Sequence, residues 1–173
     1  MMITPRPFAA LLFLLTLCPA AAAQEAALRG TFVINRQASD HISRAIDTAV
    51  AGMSFVTKQT MRGRLRKTNA AYGRVVIDYD QRTVSITFDQ RRPMESAANG
   101  TPVKWTREDG DKFDLSTEWE GGKLEQTLKG EGEERTSTFS VSPDGRTLTL
   151  NVVVSSPRLP KPLTYKLVYN RAS

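Results

Sequence analysis

Cysteine and histidine are nearly missing from this sequence: Cys18 and His41 are the only examples of each. Cys18 falls in an N-terminal apolar stretch that reads as a removable leader. A chain cut after that leader holds no disulfide, no thiol nucleophile and no cysteine-bound metal. One imidazole at the start of a helical pattern, with no second histidine beside it, supplies neither a nitrogen–sulfur metal site nor a nucleophile–base pair. Glu118 and Glu120 flank Trp119 and have the spacing of an acid/base pair, but strand alternation places them equally well on an outer, solvated face. No catalytic constellation is recognisable, and neither metal nor cofactor is implied.

Long apolar runs are also scarce. The one candidate, Phe8 to Leu17, follows Arg6 and precedes Ala21-Ala22-Ala23, which has the small-x-small form of a signal-peptidase site. It is shorter than the roughly 20 residues that a membrane-spanning helix needs. Residues 1–23 therefore read as a secretory signal cleaved near Ala23, giving a periplasmic or secreted protein. A lipid anchor on Cys18 is disfavoured by Leu17 before it and Pro19 after it. Residues 24–173 have the size of one domain, large enough to bury a core without disulfides.

Acidic residues are absent between Thr48 and Ile77, where Lys58, Arg62, Arg64, Arg66, Lys67 and Arg74 fall. The whole chain carries a net charge of +6. Without Arg6 the remainder carries one positive charge fewer, and this single segment accounts for all of it. The basic character is thus a local surface at 58–67, suited to anionic lipid or an acidic partner. An exported chain rarely meets nucleic acid, which is not expected as a partner.

The same region carries the one strong helical pattern. Apolar residues from Ile42 through Ile46, Ala49, Met53 and Met61 to Leu65 recur mostly at steps of three and four, predicting an amphipathic helix over about 39–68. Ser39 and Asp40 are candidate N-caps. Gly52 and Gly63 weaken its interior by about 1 kcal/mol each relative to alanine.

From Gly73 the period changes from 3.6 to 2. Val75, Ile77 and Tyr79 alternate with polar or smaller neighbours, as do Val84, Ile86 and Phe88, and the pattern repeats to the C-terminus. Asp109-Gly110, Gly121-Gly122 and Asp144-Gly145 supply the turn chemistry of tight hairpins. With Thr31 to Asn35 as the first, eight or nine antiparallel strands are expected, and closure into a barrel is the economical way to remove the sheet edges.

The half from Trp119 to Arg171, with "WEGGKLEQTLKG" and "SPDGRTLTLNVVVSSPRLPKPLTYKLVYNR", resembles a group of exported, functionally uncharacterised bacterial proteins with a lipocalin-like small barrel. The opening "RGTF" is similar to the Gly-x-Trp start of lipocalins. That likeness implies a barrel floor in which Phe32 lies under Arg171 of the last strand, with Gly30 beside them. It leaves the ligand open.

Inside such a barrel the alternation places Trp105, Phe113, Trp119, Phe139 and Tyr165, with Gln126 as a polar exception. These are the candidate ligand-lining residues, although a small barrel is commonly filled by its own side chains. The acidic turn "EDGDKFD" lacks the full spacing of a calcium loop and reads as a solvated hairpin. The expected function is non-enzymatic binding of an apolar or amphipathic small molecule, and the alternative is an envelope interaction protein using the basic helix end.

Overall fold

The computed structural model describes residues 25–80 and 82–172. The leader, its cleavage site and Cys18 lie outside the described residues. Strand β1 (Gly30–Ile34) is followed by helices α1 (Ile42–Ala49) and α2 (Phe55–Thr68). Nine strands then follow in chain order: β2 (Arg74–Tyr79), β3 (Val84–Phe88), β4 (Met94–Ser96), β5 (Val103–Thr106), β6 (Lys112–Glu120), β7 (Lys123–Gly130), β8 (Glu133–Val141), β9 (Thr147–Ser155) and β10 (Leu163–Arg171). All pair antiparallel in one ten-stranded sheet, in the order β4-β3-β2-β1-β10-β9-β8-β7-β6-β5. The result is a nearly closed barrel, one strand richer than the alternation suggests because β4 is only three residues long. Among the described residues, no helix is long and apolar enough to cross a membrane.

The helical segment is two helices rather than one. Gly52, at a φ of +93°, sits in the turn between them, where the Met53 amide donates to Val50 O. Of the two candidate breaks, the chain therefore uses Gly52 and runs unbroken through Gly63. On α1, Ile46 and Ala49 are buried, and Ile42 and Ala45 pack beside them, so one stripe faces the barrel. On α2 only Leu65 is fully buried. Ser39 and Asp40 do not cap α1, whose N-cap is His41. They tie the loop to β10 instead: Ser39 Oγ and Asp40 Oδ2 accept the backbone amides of Val168 at 2.9 Å and Lys166 at 2.7 Å.

The core runs through the barrel, since inward positions alternate with solvated ones on every long strand. One end is a closed floor, formed by the β2–β3, β6–β7 and β8–β9 turns. There Phe32 pairs in register with Arg171, whose guanidinium lies 4.6 Å from the Phe32 ring centroid and donates to the carbonyls of Ala27, Arg29 and Gly145. Gly30, at a φ of +146°, passes so close that a side chain there would collide with that guanidinium. The helices and the β3–β4, β5–β6, β7–β8 and β9–β10 turns form the opposite end, the mouth.

Candidate functional site

Among the described residues, β4 and β5 are the only strands without a partner on one side, and the chain between them treats the two halves of this seam differently. On the floor side, Asn99 bridges to Glu118, and the Gly100 amide donates to Thr117 O at 2.9 Å. Ser96 Oγ donates to Thr117 Oγ1 at 2.6 Å across the same gap. On the mouth side β4 and β5 diverge. The β3–β4 turn there meets the opposite edge through an ion pair, Arg91 to Glu108 at 2.9 Å, and through the Trp105 indole, whose Nε1 donates to Pro93 O at 3.4 Å.

Behind that pair lies a cleft. One wall carries Tyr72 and Phe88, with ring centroids 4.9 Å apart, and the other carries Trp105 and Phe113, 6.2 Å apart. Met94 and Leu128 complete the apolar lining. Arg91 lies over Tyr72 and Arg107 over Phe113, each 5.1 Å from the ring centroid. The acidic turn holds Arg107 in place: Asp109 pairs with its Nε at 2.8 Å and Asp111 with Nη2. The hydrogen bond from Arg107 keeps the Asp109 carboxyl below the ordinary carboxylate range.

The deep side of the cleft is polar. Gln126 and Ser137 line it, and Gln126 reaches toward Thr117 Oγ1 at 3.5 Å. Beside them Arg135 projects inward from β8, donating to Asn69 Oδ1 at 2.9 Å and to Tyr165 OH at 3.1 Å, while Tyr165 OH donates to the same Asn69 oxygen at 3.1 Å. Asn69 is also the C-cap of α2, its amide bonded to Leu65 O, so this network joins the helical cap to the barrel wall. Among the described residues no carboxylate pairs with Arg135. Burial raises the Tyr165 phenol above its ordinary value, against the opposing effect of Arg135. Burial raises Tyr169 further, and its hydroxyl has no partner among the described residues.

Of the six interior candidates, the structure brings Trp105, Phe113 and Gln126 into the cleft and places Tyr165 one hydrogen bond behind it. Phe139 is fully buried below, 6.4 Å from the Phe88 ring, and belongs to the filled core. Trp119 lies toward the floor, edge-on to Tyr79 at 5.7 Å. Sequence reasoning missed Tyr72, Phe88, Arg91, Arg107 and Arg135. Two of them had a local signal: Phe88 ends the alternating apolar face of Val84 and Ile86, and Arg135 shares the inward period of Ser137, Phe139 and Val141.

The remaining candidates lie elsewhere. His41 is exposed at the start of α1, and Glu118 and Glu120 are exposed on β6. In the basic cluster, Arg62 pairs with Asp47 of α1 at 2.8 Å, and Arg64 lies 3.9 Å from Glu133. Lys58 is half-buried, while Arg66 and Lys67 are exposed in the last turn of α2.

No family model matches the sequence, and no curated protein resembles it closely. Solved structures do share the fold. An Echinococcus granulosus fatty-acid-binding protein 1 superposes with a TM-score of 0.55 at 14% identity, covering 86% of this chain and 99% of that one. A Schistosoma mansoni fatty acid binding protein in complex with arachidonic acid gives 0.55 at 16% identity, covering 87% and 99%. The apo lipid binding protein 8 of Caenorhabditis elegans gives 0.56 at 8% identity, covering 85% and 96%.

The two buried tyrosines should respond oppositely to loss of their hydroxyls. Tyr165→Phe removes two hydrogen bonds and should cost about 1–3 kcal/mol, whereas Tyr169→Phe removes an unpartnered group and should leave stability unchanged or higher. Because both phenols hold their protons more tightly in the folded state, unfolding free energy should be steady below about pH 10 and decline above it. Urea melts from neutral to alkaline pH check this, and Tyr169→Phe should flatten the decline.

Proposed function

We propose that this protein is a non-enzymatic binder of an amphipathic small molecule, held in the seam cleft with an anionic head toward Arg135 and an apolar part between the aromatic walls. The observation that carries this reading is Arg135 itself. The half-buried Arg135 guanidinium loses part of its hydration, and such groups are commonly compensated by a carboxylate or another anion. Here the neighbours are a phenol and an amide, which satisfy hydrogen bonds and leave the charge uncompensated. A carboxylate or similar head would complete it through charge-assisted bonds. The fatty-acid-binding and lipid-binding names of the structural neighbours agree with this reading, and the signal-like pattern of residues 1–23 supports a binding step outside the cytoplasm.

A second reading is favoured by Phe55 and Val56, which are 76% and 75% exposed at the start of α2. Lys58, Arg62 and Arg66 follow Phe55 at helical spacing on the same side. That combination suits an anionic lipid surface, with the two apolar side chains entering the interface.

Displacement of an anionic fluorescent probe tests the first reading. Arg135→Met should weaken binding by about 10- to 100-fold, the loss of a hydrogen-bonded charge worth roughly 1.5–3 kcal/mol, while Arg66→Gln leaves it unchanged. Equal probe affinity in Arg135→Met and the parent protein would remove Arg135 from the site. For the second reading, sedimentation with phosphatidylglycerol vesicles should fall on raising salt and in the double variant Phe55→Ser/Val56→Ser, which keeps full probe affinity. Vesicle binding insensitive to both changes would end that reading.

A further inference from the structure

We propose, building on the reading of the cleft as an anion-headed ligand site, that it selects compact ligands: a carboxylate carrying a single ring or a short acyl chain, and not a long-chain fatty acid. The first support is size. The cleft has a cavity volume of about 80 Å³, well below the roughly 300–1,000 Å³ of pockets that surround drug-sized ligands.

The second support is what lies beneath. Phe139, Leu150, Leu167 and Tyr169 are each at most 1% exposed, and they fill the barrel below the cleft with side chains. Phe88 seals the boundary, with Tyr72 on its outer side and Phe139 on its inner side. A chain could pass this plug only by displacing core side chains from a close-packed interior.

The third support is a polar layer across the path. Ser96, Thr117 and Gln126 are 4%, 1% and 2% exposed and are linked to one another by hydrogen bonds. An acyl chain driven inward would press methylenes against these groups and break bonds that no water could replace. A polar head, in contrast, meets donors there. The ligand is therefore held head inward, and its apolar part extends outward between the Tyr72–Phe88 and Trp105–Phe113 walls, whose flat faces suit a ring or a short chain.

Each additional carbon then emerges past Trp105 and Met94 into water. While methylenes are being buried, affinity should rise about fourfold for each, which corresponds to ~0.8 kcal/mol. Once the chain clears the seam, the gain stops.

Isothermal titration calorimetry of the full-length processed protein with butanoate, hexanoate, octanoate, decanoate and palmitate tests this, with phenylacetate as the single-ring member. Affinity should climb through the short members and level off near octanoate, with palmitate within about threefold of octanoate and phenylacetate within about tenfold. Trp105→Ala, or Met94→Ala if that variant folds poorly, should move the plateau to shorter chains, because the outer wall that buries the last methylenes is cut back. Palmitate binding at least about a hundredfold tighter than octanoate would overturn this inference alone. Failure of every carboxylate to bind would overturn it together with the function it rests on.

Discussion

A five-residue strand holds this fold together. β1 pairs with β10 through Phe32, Val33 and Ile34, and with β2 through Gly30 to Val33, so the first and last parts of the described chain meet in the middle of the sheet. That strand alone is short for such a task, and it is reinforced at both ends. At the floor, Arg171 draws in the carbonyls of Ala27, Arg29 and Gly145 and covers Phe32. At the mouth, Ser39 and Asp40 anchor the outgoing loop to β10. With β1 placed centrally, the free edges of the sheet are displaced to β4 and β5, and the position of the opening follows from that placement.

The opening is therefore a seam in the wall. Its floor half is closed by backbone pairing and buried hydroxyls, contacts that break only with local unfolding. Its mouth half is spanned by one long hydrogen bond, from Trp105 Nε1 to Pro93 O at 3.4 Å, and by Arg91 and Glu108, whose side chains are 45% and 51% exposed. A pair so open to water contributes about 0–1 kcal/mol, little enough for ordinary fluctuations to part it. The same wall thus combines a rigid half that orients Gln126 with a half that yields to an entering molecule, while Arg135 is held from the mouth by Asn69 of the α2 cap and by Tyr165.

Strand alternation made most of the sheet legible, because long strands with one buried face carry a period that turns and helices do not. β4 escaped because three residues, Met94 to Ser96, cannot display a period. The helical segment showed its buried stripe, but periodicity continues smoothly across Gly52, and only the turn geometry divides it. The cleft was legible in part. Trp105, Phe113 and Gln126 follow from alternation, whereas Tyr72, Arg91 and Arg107 come from turns and a linker whose meeting depends on where the sheet fails to close. Arg135 was on the page as an inward position of β8, obscured by the general rule that charged side chains face water.

Placement of an anionic head inside the barrel, beside Arg135, is the claim on which the functional account stands. It is tested most directly by nuclear Overhauser contacts from octanoate bound to the isotopically labelled protein. The account predicts contacts from the terminal methyl to the Trp105 indole and Met94, and from the methylene next to the carboxylate to Gln126 and the Arg135 side chain. Methyl contacts to Phe139 and Leu167, with the carboxylate end against Arg91 and Arg92, would show the opposite orientation and contradict it.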